Sequence, residues 1–551
     1  MTLTPAGAVH GGPARRELLL TAATTAAVAA FILVLDPNPG DEPAHLYRTF
    51  LVDHGVMLWD NLWYAGQYPL TSYSLLYYFP AALVGNLPLV IAASVATSVL
   101  FGLISYREWG PTARWPTRVF CVCAAAPLFT GLYAYTLGFA TLLAALHLLQ
   151  RQRTWLVVVC ALLTLGFSPL AFGFLCLNLS AIAATRRSHS VRTVLLAVAL
   201  LAIGLFEFAD LVLFPTPGSY PFNPVDLAAV LGVSVLGAAL ARQSGASRLI
   251  AVFFVLWALG SAFFYLVPTA IGDNWTRLRE FVFPLMLVAA IQARFRPRPL
   301  VVGALAAALA YNLVPYLMLI PYRLDSGPGS AAFWRPAIQF LDANARRPLR
   351  VEVVPTAAHW ESYWIPHADI ALARGWFRQL DEATNPVLYA PGLNGRTYDA
   401  WLHRMGIQFV LLPATELDPL GGPAEARLLR SPSSPLVEVF HDRTWTIYRV
   451  PHPTPLLTGP SPARLIAVSH QLIEGWVAAP GSYFLRFHYM PYWSARPAGT
   501  CVGPGSNGMT ELALARRGRF TLRVPDSLLG SLDAVLTAIT RTPPACAPAS
   551  G

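Results

Sequence analysis

"RRELLLTAATTAAVAAFILVLDPNPGDEPAHLYRTFLVDHG", residues 15 to 55, decides how the rest of the chain is read. Two arginines precede an apolar run of the length a bilayer-crossing helix needs, about 20 residues. No small-residue cleavage site follows before the acidic loop, so the run reads as an uncleaved first span. The loop after it gathers Asp41, Glu42, His45, Arg48 and Asp53 within a few turns of chain. What this cluster can do depends on the side of the membrane it occupies.

Composition extends the membrane reading to much of the chain. Of 551 residues, 55% are hydrophobic and only 12% charged, which a soluble chain of this length does not show. The formal charge of +10 comes entirely from arginine, scattered in short clusters between apolar runs. That pattern reports topology, and no arginine-rich helix with interleaved aromatics points to nucleic acid. Apolar runs at 17–36, 76–105, 117–134, 135–150, 154–168, 169–184, 193–214, 225–241, 249–268, 280–293 and 299–321 predict about eleven spans. With the N-terminus cytoplasmic, the arginines at 107–118, 151–153, 186–192, 242–248 and 294–298 all fall inside. Reading 154–184 as one helix through Pro169 breaks that agreement, so two helices are expected there. The exception is "GDNWTRLRE", 272–280, which puts Arg277 and Arg279 on the outer face.

Beyond residue 321 apolar runs shorten, turn residues rise, and period-two stretches such as "LRVEVVP", "WTIYRV" and "YFLRFHY" begin. The expected fold is therefore a polytopic α-helical membrane domain, 1–321, with a first outer loop at 37–75. An extracytoplasmic α/β region, 322–434, and a β-rich, sandwich-like region, 435–551, follow it. Cys121, Cys123, Cys160 and Cys176 lie in apolar runs and read as packing residues. Cys501 and Cys546 can pair if their region lies outside the cytoplasm, and the sequence leaves that open.

A helix starting near Pro43 puts Asp41, His45 and Arg48 near one face. The plainest role for Asp41 is an N-cap facing the positive end of the helix dipole. The same dipole keeps the carboxylate ionised, as a general base requires. An acidic pair in the first outer loop, directly after the first of about eleven spans, resembles the integral-membrane glycosyltransferases of the GT-C class. These include protein O-mannosyltransferases, aminoarabinose transferases and actinobacterial arabinosyl- and mannosyltransferases. The resemblance covers roughly residues 15–321 and rests on placement more than on letters.

It implies a plasma-membrane enzyme that moves a sugar from a polyprenyl-phosphate donor to an extracytoplasmic glycan, lipid or protein acceptor. Asp41 is then base or acceptor ligand, with Glu42 supporting it. Arg277, and secondarily Arg279, fit the donor phosphate, since guanidinium forks match phosphate oxygens. The plainer role for these arginines is lipid headgroup binding or pairing with Asp273 and Glu280. Some members of the class use a divalent cation, Mg or Mn, and Asp41 with Glu42 are of a type to hold one. His45 and Arg48 are candidate substrate contacts, His45 as a hydrogen-bonding helper.

"LWDNLWYAGQYPLTSYSLLYYFP", 58–80, is dense in rings. It suits an interfacial aromatic belt, or alternatively a sugar or prenyl platform with Asp60 and Tyr64 as contacts. In "HWESYWIPHADIALARGWFRQLDEATNPVLY", 359–389, Glu361, Arg374 and Arg378 either reach an acceptor site or simply pack the domain. A transporter or lipid-handling protein is the rival class, resting on Glu207 and Asp210 in "GLFEFADLVLF" as intramembrane acids. A catalytically inactive scaffold for envelope assembly is a third. No GxSxG, Walker A or Rossmann glycine pattern occurs in a credible strand-to-helix context.

Overall fold

A computed structural model describes residues 13–66, 68, 69, 73–186, 191–215, 218–243, 248–323, 327–540 and 546. The chain forms two compact units: residues 1–42 with 72–324, and residues 43–71 with 325–551. Gln67, in the aromatic stretch, lies outside the described residues.

The first unit is helical. α1 (Pro13–Val34) precedes α2 (Glu42–Asp53), of which only Glu42 belongs to this unit. Then come α3 (Tyr78–Val84), α4 (Asn86–Trp109), α5 (Arg114–Cys123), α6 (Ala126–Thr130), α7 (Tyr133–Gln150), α8 (Thr154–Phe167) and α9 (Pro169–Thr185). α10 (Val191–Leu213), α11 (Pro224–Gln243), α12 (Arg248–Leu266), α13 (Val282–Gln292) and α14 (Arg298–Arg323) complete it, with a 3-10 helix at Gly272–Phe281 ahead of α13.

Seven helical stretches among the described residues are long and apolar enough to cross a bilayer, so the protein is membrane-embedded. The difference from eleven has local causes. The run 117–134 is cut after Cys123 into α5 and a five-residue α6, ending at the left-handed Gly131 (φ +81°). The run 280–293 keeps only the 11 α-helical residues of α13. The break between α8 and α9 falls where Pro169 predicted it. Ser168 is extended, its hydroxyl accepts from the Ala171 amide at 3.3 Å, and Pro169 opens the next helix.

In the second unit, β1 (Trp59–Asp60) and β2 (Tyr68–Pro69) form a small ribbon. The α/β part runs α15 (Ala331–Asn344), β3 (Arg350–Val353), α16 (Glu361–His367), β4 (Ala371–Leu372), α17 (Arg378–Thr384), α18 (Pro386–Tyr389), α19 (Gly395–Met405), β5 (Phe409–Pro413) and α20 (Pro423–Leu429). β6 (Val437–His441) and β7 (Trp445–Arg449) follow, and the sheet order is β4-β3-β5-β7-β6, parallel through β5 and antiparallel beyond it. The hairpin 437–449 therefore extends the α/β sheet, and the sandwich starts later than residue 435.

That sandwich comprises β8 (Leu457–Thr458), β9 (Ala463–Val468), β10 (Leu472–Val477), β11 (Gly481–His488), β12 (Ser494–Arg496), β13 (Cys501–Pro504), β14 (Met509–Leu514) and β15 (Gly518–Arg523). Its antiparallel sheets are ordered β12-β15-β10-β9 and β13-β14-β11-β8. Tyr483, Leu485, Phe487, Leu512, Phe520 and Leu522 alternate inward to fill it. A last helix, α21 (Leu528–Thr540), precedes Cys546, which is disulfide-bonded to Cys501.

Candidate functional site

Two segments far apart in sequence meet around the acidic pair. The first, residues 39–42, lies along the turn 130–133. The Asp41 amide donates to the Thr130 carbonyl at 3.4 Å, and the Tyr133 hydroxyl donates to Glu42 Oε1 at 2.8 Å. Gly131 makes this approach possible. A Cβ there would lie 2.7 Å from the Glu42 nitrogen, 3.1 Å from that of Asp41 and 3.0 Å from Pro39 Cβ. A side chain would fill the space the acidic pair occupies.

The second segment is the 3-10 helix 272–281, held by large rings. Trp275 packs on Phe174 and Phe264, each at 4.8 Å between centroids, and its carbonyl accepts from Trp257 Nε1 at 3.0 Å. Phe281 sits among Phe120, Phe139 and Phe101 at 4.8, 5.0 and 5.6 Å. Between these anchors the Arg277 carbonyl accepts from the Tyr135 hydroxyl at 3.0 Å. The backbone is thereby fixed on both sides of Arg277.

Arg277 Nη2 lies 3.7 Å from Asp41 Oδ2, with side-chain exposures of 23% and 17%. The contact is an ion pair longer than a hydrogen bond. Burial, the largest single influence, works against the Arg277 charge, but the Asp41 carboxylate and the neighbouring Tyr73, Tyr220 and Tyr135 together outweigh it and hold the guanidinium above its ordinary pKa. Glu42 is pushed the other way. Burial raises its carboxyl to about 7, against the pull of the Tyr133 hydrogen bond and with help from the nearby Asp36 charge. Asp273 is also raised by burial, to about 6, although Arg277 and Arg279 pull it down. The site thus holds one carboxylate paired with a cation and a second whose proton is exchangeable near neutral pH.

Arg279 turns elsewhere. Its Nη2 donates to Thr276 Oγ1 at 2.9 Å and its guanidinium lies 5.6 Å from the centre of the Tyr311 ring. Glu280 is buried and accepts from the Tyr316 hydroxyl at 2.9 Å. Neither Asp273 nor Glu280 is within ion-pair distance of Arg277 among the described residues, and Asp41 is.

His45, Arg48, Asp60 and Tyr64 belong to the second unit and are buried there. Asp60, fully enclosed, accepts from Tyr47 at 2.9 Å, from His470 Nδ1 at 3.0 Å and from the Leu62 amide at 3.2 Å. The Tyr64 hydroxyl is bonded to the Phe377 backbone, donating to its carbonyl at 3.0 Å. The stretch 359–389 is likewise turned inward. Arg374 binds Asp381 at 2.6 Å, Glu352 and Glu425 at 3.2 Å each, and the Tyr389 hydroxyl at 2.9 Å. His359 bridges Glu361 at 3.0 Å and Asp418 at 3.3 Å, and Asp418 also pairs with Arg378. These charges pair with one another within the α/β part.

The sequence did not single out Gly131, Tyr133 or Tyr135, whose partners lie some ninety or more residues away. Among the described residues no three His, Cys, Asp or Glu side chains gather as a metal site would need. Asp41 and Glu42 remain the carboxylates of a type to hold a divalent cation. No known family and no curated protein matches the chain.

Proposed function

We propose that the protein is a membrane glycosyltransferase of the GT-C type, moving a sugar from a polyprenyl-phosphate donor to an extracytoplasmic envelope acceptor. The observation that carries this reading is the ion pair of Asp41 and Arg277 across more than two hundred residues of sequence. A carboxylate beside a cation is what displacement of a lipid phosphate from an anomeric carbon needs. In this reading the shorter apolar helices also cross the membrane, giving about eleven spans with the N-terminus inside and both acidic and basic segments outside.

The donor phosphate takes Arg277, which releases Asp41 to orient the acceptor hydroxyl. The acceptor oxygen loses its proton to the carboxylate and bonds the anomeric carbon. The carbon–oxygen bond to phosphate breaks, and the polyprenyl phosphate leaves with its charge against Arg277. Glu42 supports Asp41 as the second carboxylate, and Tyr133 holds it in place.

The transporter reading draws less support. Glu207 and Asp210 lie in the last two turns of α10, a helix that buries only Leu196 and Ile203. The test gives the purified parent, Asp41→Asn, Arg277→Gln and Glu207→Gln radiolabelled polyprenyl-phosphate sugars with an envelope extract. Transfer in the parent and in Glu207→Gln, lost in the first two variants with folding intact, is expected. Transfer by none of the proteins with any donor, or transfer that survives in Asp41→Asn, overturns the reading.

A further inference from the structure

α21 is built inside out for a helix on a soluble domain. At 100° per residue, Leu528, Leu532, Leu536, Ile539 and Leu529 fall on one arc of about 100°, and Gly530, Ser531, Ala534 and Ala538 fall on the other side. The small residues turn toward the protein, Ser531 being buried, whereas the five large ones are 52–79% exposed. A helix packing onto a sandwich in water places its leucines the other way round. Its pose is fixed at the start. Ser527 caps the start, accepting from the Gly530 amide at 3.2 Å, and the Gln471 side chain donates to the Pro525 carbonyl at 3.2 Å. Beyond the helix the chain is bonded through Cys546 to Cys501.

We infer that α21 is an interfacial membrane anchor, lying flat with its leucine face among lipid headgroups and upper acyl chains. At about 1.5 Å per residue its 13 residues make roughly 20 Å, too short to cross a bilayer but suited to lying in its surface. Lipid is the occupant favoured over a protein partner for two reasons. The chain passes into the second unit two residues after α14, an apolar helix of membrane-spanning length, so this unit is tethered close to a bilayer. The strand leading to the helix and the turn before it carry exposed Arg516, Arg517, Arg519 and Arg523, with Asp526 the acidic residue among them, and such a segment attracts anionic lipid.

The test uses the full chain with Cys121, Cys123, Cys160 and Cys176 replaced by serine, reconstituted in vesicles of phosphatidylcholine and phosphatidylglycerol. An environment-sensitive fluorophore is placed on Leu532→Cys, on Leu536→Cys or, as a reference, on the exposed Arg396→Cys of the α/β part. Lipids carrying a doxyl quencher near the headgroup are expected to quench the two helix labels several-fold more than the reference, while aqueous iodide quenches them less. Helix labels as open to iodide as the reference overturn the anchor. Labels shielded from both quenchers, with Leu532→Cys forming a disulfide between copies, overturn it in favour of a second chain. None of these readouts depends on transferase activity.

Discussion

Replacing Gly131 by alanine tests whether the turn 130–133 holds the acidic pair in place. The new Cβ would stand 2.7 Å from the Glu42 nitrogen, and ordinary contact begins near 3.4 Å. Residues 39–42 must therefore move back by about 0.7 Å, and catalytic geometry that slips by about 1 Å costs on the order of a hundredfold in rate. An alanine at φ +81° adds about 1 kcal/mol of backbone strain, and the overlap brings the destabilisation to roughly 1–3 kcal/mol. Gly110→Ala serves as the strain control, since Gly110 (φ +59°, ψ −138°) lies in a region that disfavours a side chain at least as strongly as Gly131 does but has no atom within 4 Å of the point where a Cβ would stand. Transfer from a polyprenyl-phosphate sugar and thermal unfolding in detergent are measured for both variants. Gly131→Ala should lose about 10- to 100-fold in transfer beyond any loss in Gly110→Ala. Parental transfer and parental melting in Gly131→Ala would refute the close approach, and equal transfer losses in both variants would refute its link to the site.

Arg277→Lys should raise the KM for the donor more than it lowers kcat, because a point charge replaces a planar fork; an unchanged donor KM would remove Arg277 from phosphate binding. The Glu42 carboxyl, raised by burial to about 7, already carries its proton below that pH and is a free carboxylate only above it. The transfer rate should therefore climb with pH and level off above about 7, and the inflection should vanish in Glu42→Gln; a profile flat from about pH 5.5 to 8.5 in the parent counts against Glu42. Arg374→Met strands three buried carboxylates, which costs about 3–5 kcal/mol and should lower the melting temperature far more than Arg396→Met on the surface. Cys501→Ser opens a loop of 45 residues, worth about 4 kcal/mol of chain entropy, and should lower the melting temperature below that of the unreduced parent; equal melting of the two would count against a stabilising role for the disulfide.

The membrane helices were legible because their signal is local. A run of about 20 apolar residues, or a serine and proline at a helix boundary, carries its meaning within one turn or one span. Arg277 drew attention for a different reason, as an exception to the expected charge rule, and it lies beside Asp41. What the sequence hid is whatever depends on approach between distant segments. Gly131 looks like any other glycine until the backbone of Asp41 and Glu42 is laid against it. Asp60, in the sequence only an alternative sugar contact beside the aromatic-belt reading, is fully enclosed, with a hydrogen bond to His470 across 410 residues. The hairpin 437–449 carries the same alternation whether it pairs with β5 or opens a sandwich, so its letters do not say which sheet it joins. The aromatic stretch from Leu58 had the same ambiguity, since rings that suit a membrane interface also suit a domain core.

The first part of that stretch, up to residue 71, belongs to residues 43–71, which complete the second unit although they are made long before the rest of it. Roughly 250 residues separate it from residue 325, where the remainder begins, and at about 5–20 residues per second synthesis leaves it waiting for some ten to fifty seconds. During that interval Leu58, Trp59, Leu62, Trp63 and Tyr64, all enclosed in the finished protein, have no core to enter. The biogenesis of this protein therefore contains a built-in delay, during which five side chains of the second unit wait for the C-terminal half that encloses them. Expressed alone, 325–551 would lack the part made first.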